Sequence, residues 1–227
     1  MKLIDPVLYV EDFDGKKFMK RIERACRTCY RSEDSITEDS YKNLITNCIN
    51  RGHESVLEHE KVSIRMIGDI GTYKDLTRHR FASFSVESTR YCNYGKNKFD
   101  NEIKFMKPCN IDEGTDLYDI WKKGLEDVEK AYLEMSKAGA KPDQLRLLLP
   151  HCTAAEYNMT CNLREWKHIL SLRCSKHVHP AIRQLLIPLL LKFKKEMPEI
   201  FAGVEYDEDF PKEKYAKMFS LDTEEIC

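Results

Sequence analysis

The spacing of hydrophobic positions changes several times along the chain, and each change marks an element. Phe18, Ile22, Ala25, Cys26 and Cys29 recur at helical intervals and predict a helix over about 15–30, entered from a short strand at 7–10 and Asp14. Ser35-Ile36-Thr37-Glu38 reads as a capping box for a second helix that buries Tyr41, Leu44, Ile45, Cys48 and Ile49 and stops at Gly52. Over 61–66 the period drops to two, with Val62, Ile64 and Met66 alternating against Ser63 and Arg65, the mark of a half-buried strand. A short helix over about 72–80 follows. The polar stretch 83–95 has neither period and predicts an irregular segment, and Ile103 with Phe105 marks another strand.

The longest stripe lies in 115–137, where Tyr118, Trp121, Leu125, Val128, Tyr132 and Met135 alternate spacings of three and four, a seam for packing on another helix. Further helices are expected near 142–149, 163–174 and 180–196, the last perturbed at Pro188, with a strand over 153–160. Strands and helices mix without a regular βαβ rhythm. The expectation is therefore an α+β fold, a mixed sheet packed with helices in a single domain over 1–227. The acidic and lysine-mixed tail, 205–227, reads as a C-terminal surface extension with room for a terminal helix.

Composition narrows the function. With 42% hydrophobic and 33% charged residues, the 227-residue chain is ordinary for a soluble globular protein with a sizeable core. A formal charge of −1 argues against holding nucleic acid through bulk positive charge. The N-terminus has no apolar signal region, and the apolar run 185–191 is too short to span a bilayer, so the chain reads as cytoplasmic, with no membrane and no nucleic-acid partner. Nine scattered cysteines read as reduced thiols. Cys26-Arg27-Thr28-Cys29 lacks the second pair of a zinc site and lies on an apolar stripe, so packing is expected and no metal.

The segment from Arg78 to Tyr91 carries the chemistry. It puts three arginines, a histidine and three serines into fourteen residues at a helix end. On a helix, side chains at i and i+2 face different ways, so Arg78 and Arg80 do not form one surface ladder. Guanidinium groups beside hydroxyls match phosphate oxygens, and a phosphate-bearing ligand competes here with a solvated basic loop. Upstream, His53 and His59 stand six apart rather than the four of a zinc-chelating helix. His59 reads as a hydrogen-bonded structural residue.

Arg78-His79-Arg80, seven residues and then Ser88, continued by Arg90 and Tyr91, resembles the signature of the flavin-dependent thymidylate synthases. Gly52-His53-Glu54-Ser55 with Glu58-His59, Arg146 to Pro150, Asn162-Leu163-Arg164 and Leu172-Arg173 with His177 resemble further blocks of that family in the same order, from about Cys26 to Phe201. The resemblance implies a homotetramer with active sites shared between subunits. It implies FAD as cofactor, with dUMP, methylenetetrahydrofolate and NADPH as substrates. By the same resemblance Ser55, Glu58, Arg78, His79, Arg80, Asn162, Arg164, His168 and His177 contact FAD, the Arg-His-Arg run from a neighbouring subunit. His53 lies toward flavin and folate. Asp75, Glu87, Ser88, Arg90 and Arg146 bind dUMP, and Arg173 meets the uracil ring. Arg173, Ser88 and His53 stand as the catalytic set.

The chemistry implied needs no enzyme nucleophile, because negative charge growing on the uracil carbonyls is met by the Arg173 guanidinium. Ser88 lacks a readable Ser-His-acid pattern and is expected to bind ligand. Many family members carry Asn-Glu where Ser85-Val86 stands, leaving Glu87 to replace the acid; Asp75 stands for a Gln and His168 for an Asn. A nucleic-acid or nucleotide-binding module without chemistry and a flavoprotein acting on another pyrimidine nucleotide are the competing readings.

Overall fold

The computed structural model describes residues 1–221. The chain runs through β1 (Lys2–Ile4), β2 (Val7–Val10), α1 (Gly15–Thr28), α2 (Ser40–Asn50), a 3-10 segment at Glu54–His59 and β3 (Lys61–Asp69). It continues through α3 (Ile70–Leu76), β4 (Ala82–Val86), β5 (Lys104–Met106), α4 (Asp116–Lys137), α5 (Pro142–Leu145) and β6 (Ala154–Asn162). Then come α6 (Leu163–Arg173), α7 (Pro180–Glu196), α8 (Pro198–Phe201) and β7 (Lys217–Ser220). The expected α+β class with a mixed sheet holds.

The main sheet has the order β4-β6-β3-β2-β7, antiparallel except where β7 lies parallel to β2, and β1 and β5 form a separate parallel pair. Nine-residue strands β3 and β6 pair from Lys61↔Asn162 to Asp69↔Ala154. Their alternation decides the register. Val62, Ile64 and Met66 stand opposite Cys161, Met159 and Tyr157, and all six are buried. A one-residue slip would turn that whole row to the other face. Against this row pack the apolar sides of α1, α6 and α7. Trp166 of α6 is fully buried, donates from Nε1 to the Val62 carbonyl at 3.0 Å and meets Phe193 of α7 edge-on. A second apolar cluster gathers Ile103 and Phe105 with Leu125 and Tyr132 of α4 and Leu145 of α5. At Gly15 a Cβ would lie 2.1 Å from the Glu196 carbonyl oxygen, so the end of α7 can approach the start of α1 only over glycine.

Five expectations are corrected. The second helix starts at Ser40, not at Ser35, because Ser40 Oγ takes the Thr37 N–H at 2.8 Å and donates to buried Glu23 at 2.6 Å, which holds 37–39 outside the helix. The third helix ends at Leu76, so Arg78, His79 and Arg80 lie beyond it. Of the stretch 83–95, expected to be irregular, residues 83–86 belong to edge strand β4 on β6, where pairing supplies the backbone partners that no sequence period announces. Cys29 caps the end of α1 and is exposed, while Cys26 is buried.

The tail is more than a surface extension. Asp207, Phe210 and Ala216 are buried, Asp207 pairs with Arg183 of α7, and β7 adds a strand to the sheet. The rest of the tail, 222–227, lies outside the described residues, and with it any terminal helix there. Among the described residues no helix is long and apolar enough to cross a membrane.

Candidate active site

The end of α3 creates the first feature of the site. His79 N–H returns to the Leu76 carbonyl at 3.0 Å, closing the turn, and the chain then leaves toward β4. In this non-helical stretch exposure alternates: Arg78 and Arg80 are exposed and His79 is buried. The two arginines therefore share a side, contrary to the expectation for a helix.

They face a groove of about 810 Å³ between this turn, the 3-10 segment and α6. Asn162 caps α6, accepting the Glu165 N–H at 2.9 Å, and lines the groove. From there Arg164, His168 and Ser171 extend the wall at helical spacing. Arg164 Nη1 donates to Glu58 Oε1 at 2.6 Å, and Lys167 pairs with Glu54. Among the described residues no carboxylate pairs with Arg78 or Arg80. The groove thus offers two unneutralised guanidinium groups beside two ion pairs.

Beneath it, Arg173 Nε donates to His79 Nε2 at 3.0 Å and its Nη2 donates to the Asp75 carbonyl at 2.8 Å. Burial, then the Arg173 and His168 charges, push the His79 pKa down to about 4. The imidazole is neutral at pH 7, as an acceptor of Arg173 must be. His79 Nδ1 lies 3.6 Å from Glu165 Oε1, and the His168 ring sits edge-on at 5.8 Å.

Six of the nine residues assigned to cofactor, Glu58, Arg78, Arg80, Asn162, Arg164 and His168, are thus brought to one groove wall, with His79 lining it from below. Ser55 and His177 are exposed and lie outside the lining, as does His53, which precedes the 3-10 segment. His59, read as a hydrogen-bonded structural residue, is exposed at the end of the 3-10 segment. Glu54, Lys167 and Glu165 line the groove without having been singled out. Lys167, three residues after Arg164, was readable from helical spacing; Glu54 and Glu165 carried no such signal.

The residues assigned to dUMP are dispersed. Strand β4 pairs Ala82 with Cys161 and Val86 with Tyr157, and Glu87 N–H continues the ladder to the Glu156 carbonyl at 2.8 Å. Those five strand residues span about 13 Å, so Ser88 and Arg90 emerge at the end of β6 opposite Arg80. Glu87 accepts the Tyr94 hydroxyl at 2.8 Å and lines a separate cavity of about 300 Å³. Arg146 is exposed after α5. Asp75 lines an apolar cavity of about 430 Å³ that also holds Trp121 and His151.

The fold is that of an α+β protein, and its cation-lined groove is built to meet negative charge. Residues 14–199 match the family model described as thymidylate synthase complementing protein. The chain belongs to this family and is an enzyme. It is 32% identical over 166 residues to a flavin-dependent thymidylate synthase of Pyrococcus abyssi, covering 72% of this chain and 67% of that one. It is 28% identical over 212 residues to one of Mycolicibacterium vanbaalenii, covering 86% and 82%. A solved UMP/dUMP methylase from Streptomyces cacaoi superposes with a TM-score of 0.73 at 22% identity, covering 89% of this chain and 96% of that one, which establishes the shared fold.

Proposed function

We propose that this enzyme converts dUMP to dTMP by reductive methylation, with methylenetetrahydrofolate as carbon donor, FAD as hydride carrier and NADPH as reductant. The observation that carries the reading is Arg173, held by His79 and Asp75 beside the cation-lined groove. The donor set suits FAD: Arg78 and Arg80 offer bidentate donors to a pyrophosphate, and the Arg164–Glu58 pair provides a third guanidinium and an acceptor for polar groups. When bound, FAD supplies the hydride chemistry, and the protein supplies position and charge.

Arg173 uses two of its five N–H donors on His79 and Asp75. The others remain for a uracil carbonyl on which negative charge grows, and a charge fixed in advance stabilises the transition state more than the ground state. Six of the nine thiols are poor candidates for an enzyme nucleophile. Burial pushes Cys152 up to about 11 and Cys26 to about 12, and raises Cys92, Cys109, Cys161 and Cys174 as well. Each is thereby disfavoured as a thiolate.

Arg80 and Ser88 stand at opposite ends of β4, so one chain does not bring the whole signature to one ligand. This supports a homotetramer in which the Arg78-His79-Arg80 run serves a neighbouring subunit, while Ser88, Arg90 and Arg146 hold the dUMP phosphate. Glu87 is held by Tyr94 and takes the place of the acid missing at Val86. His53, Ser55 and His177 complete the pocket on assembly. The chain works as one such domain in the cytoplasm, in nucleotide biosynthesis. Absorbance spectra of the purified protein, followed by reduction and addition of dUMP and methylenetetrahydrofolate, test this. Flavin bands and dTMP formation dependent on both substrates are expected. A protein that takes up no FAD, or that methylates UMP and not dUMP, overturns it.

A further inference from the structure

Three groups next to the groove, buried Glu165 and His79 and half-buried Arg173, form a directed chain. Arg173 Nε carries a hydrogen and no lone pair, so His79 Nε2, 3.0 Å away, accepts. A neutral imidazole that accepts at Nε2 carries its proton on Nδ1. That nitrogen faces Glu165 Oε1 at 3.6 Å, and the two side chains are only 5% and 11% exposed. Glu165 sits in the first turn of α6 and Arg173 in its last, so one helix carries both ends of the chain and His79 bridges them from the turn after α3.

We propose that Glu165 is a positioning residue that holds the Nδ1–H tautomer of His79 and, through it, the direction of the Arg173 guanidinium. This rests on the reading of Arg173 as the uracil-facing charge. With the other tautomer, Nε2–H opposes Arg173 Nε–H, donor against donor, and the guanidinium must turn away. The carboxylate on the Nδ1 side makes that state unfavourable in a buried setting, where an unpaired donor is costly. The low basicity of His79 fits, because the imidazole stays neutral across physiological pH. Glu165 does not need to touch substrate to matter.

The test combines a spectrum with kinetics. Protein labelled with [15N]histidine, without ligand at pH 7, is expected to show His79 protonated at Nδ1 and bare at Nε2. His79→Gln assigns the signal by removing it. Glu165→Gln, whose amide oxygen still accepts, keeps the tautomer, and Glu165→Leu shifts it toward Nε2–H. In turnover with saturating FAD, Glu165→Leu is expected to lower kcat for dTMP about tenfold or more with KM for dUMP within about twofold, and Glu165→Gln is expected to recover most of that loss. A His79 protonated at Nε2 in the parent, or a tautomer unchanged in Glu165→Leu, overturns the proposal. The spectra decide this even if no dTMP forms, so the failure of the proposed function is seen separately.

Discussion

Arg173 Nε donates to Nε2 of His79 at 3.0 Å, an arrangement that only a neutral imidazole permits. The histidine at the centre of the Arg-His-Arg run is therefore a buried support for a second arginine ninety-four residues away, while its two neighbours face the groove.

Replacing that arginine should affect chemistry rather than cofactor uptake. Removing one prearranged donor to a developing oxyanion costs roughly 3–4 kcal/mol, or about 10²–10³ in kcat. Arg173→Ala is expected to show that loss in dTMP formation, with FAD affinity by titration close to the parent, since Arg173 does not line the groove.

Stability should fall with acid through His79. Its folded pKa of about 4 lies below the ordinary histidine value of 6.5, so the unfolded chain binds this proton first as pH drops. The contribution is full above about pH 6.5 and lost toward pH 4, with a ceiling of roughly 3 kcal/mol. Thermal midpoints measured across that window should decline more steeply in the parent than in His79→Gln. Equal slopes would show that His79 is not held neutral.

Arg164 and Glu58 form an ion pair with both side chains about half exposed, so its loss should hardly affect folding. Arg164→Ala is expected to move the thermal midpoint little. It should weaken FAD binding about tenfold or more, the value of a charge-assisted contact to a phosphate or ribose. Isothermal titration with FAD reads the second quantity directly.

Asp207 reports on the tail. It pairs with Arg183, both side chains largely buried, while the Arg183 guanidinium lies 5.0 Å from the centre of the Phe210 ring. Truncating one partner of a buried pair strands the other charge, at roughly 3–5 kcal/mol. Asp207→Ala should lower the denaturant midpoint by a corresponding amount; a change no larger than that of a surface substitution would return the tail to the status of an extension.

The residues forming α1, β3, α4, α6 and α7 were legible because each buries one regular face, and burial of a face writes a period into the sequence. The signature was legible for another reason. Phosphate recognition demands guanidinium and hydroxyl groups whose types are recognisable wherever they fall. Strand β4 and the ordered tail were not legible. An edge strand with Ser83 and Ser85 exposed owes its existence to the ladder β6 offers, and β7 forms because Asp207 and Phe210 bring the chain back to β2.

The sequence by itself determined which groups this protein brings to its chemistry, because side-chain charge and hydrogen-bonding capacity are local properties. Only the tertiary structure decided their partners. It put Arg78 and Arg80 on one side by ending α3 at Leu76, turned His79 inward to hold Arg173, and carried Ser88 to the far end of β4. Those outcomes depend on where backbone hydrogen bonds stop and on which side chains lose water together, and both are set by contacts between residues distant in the chain.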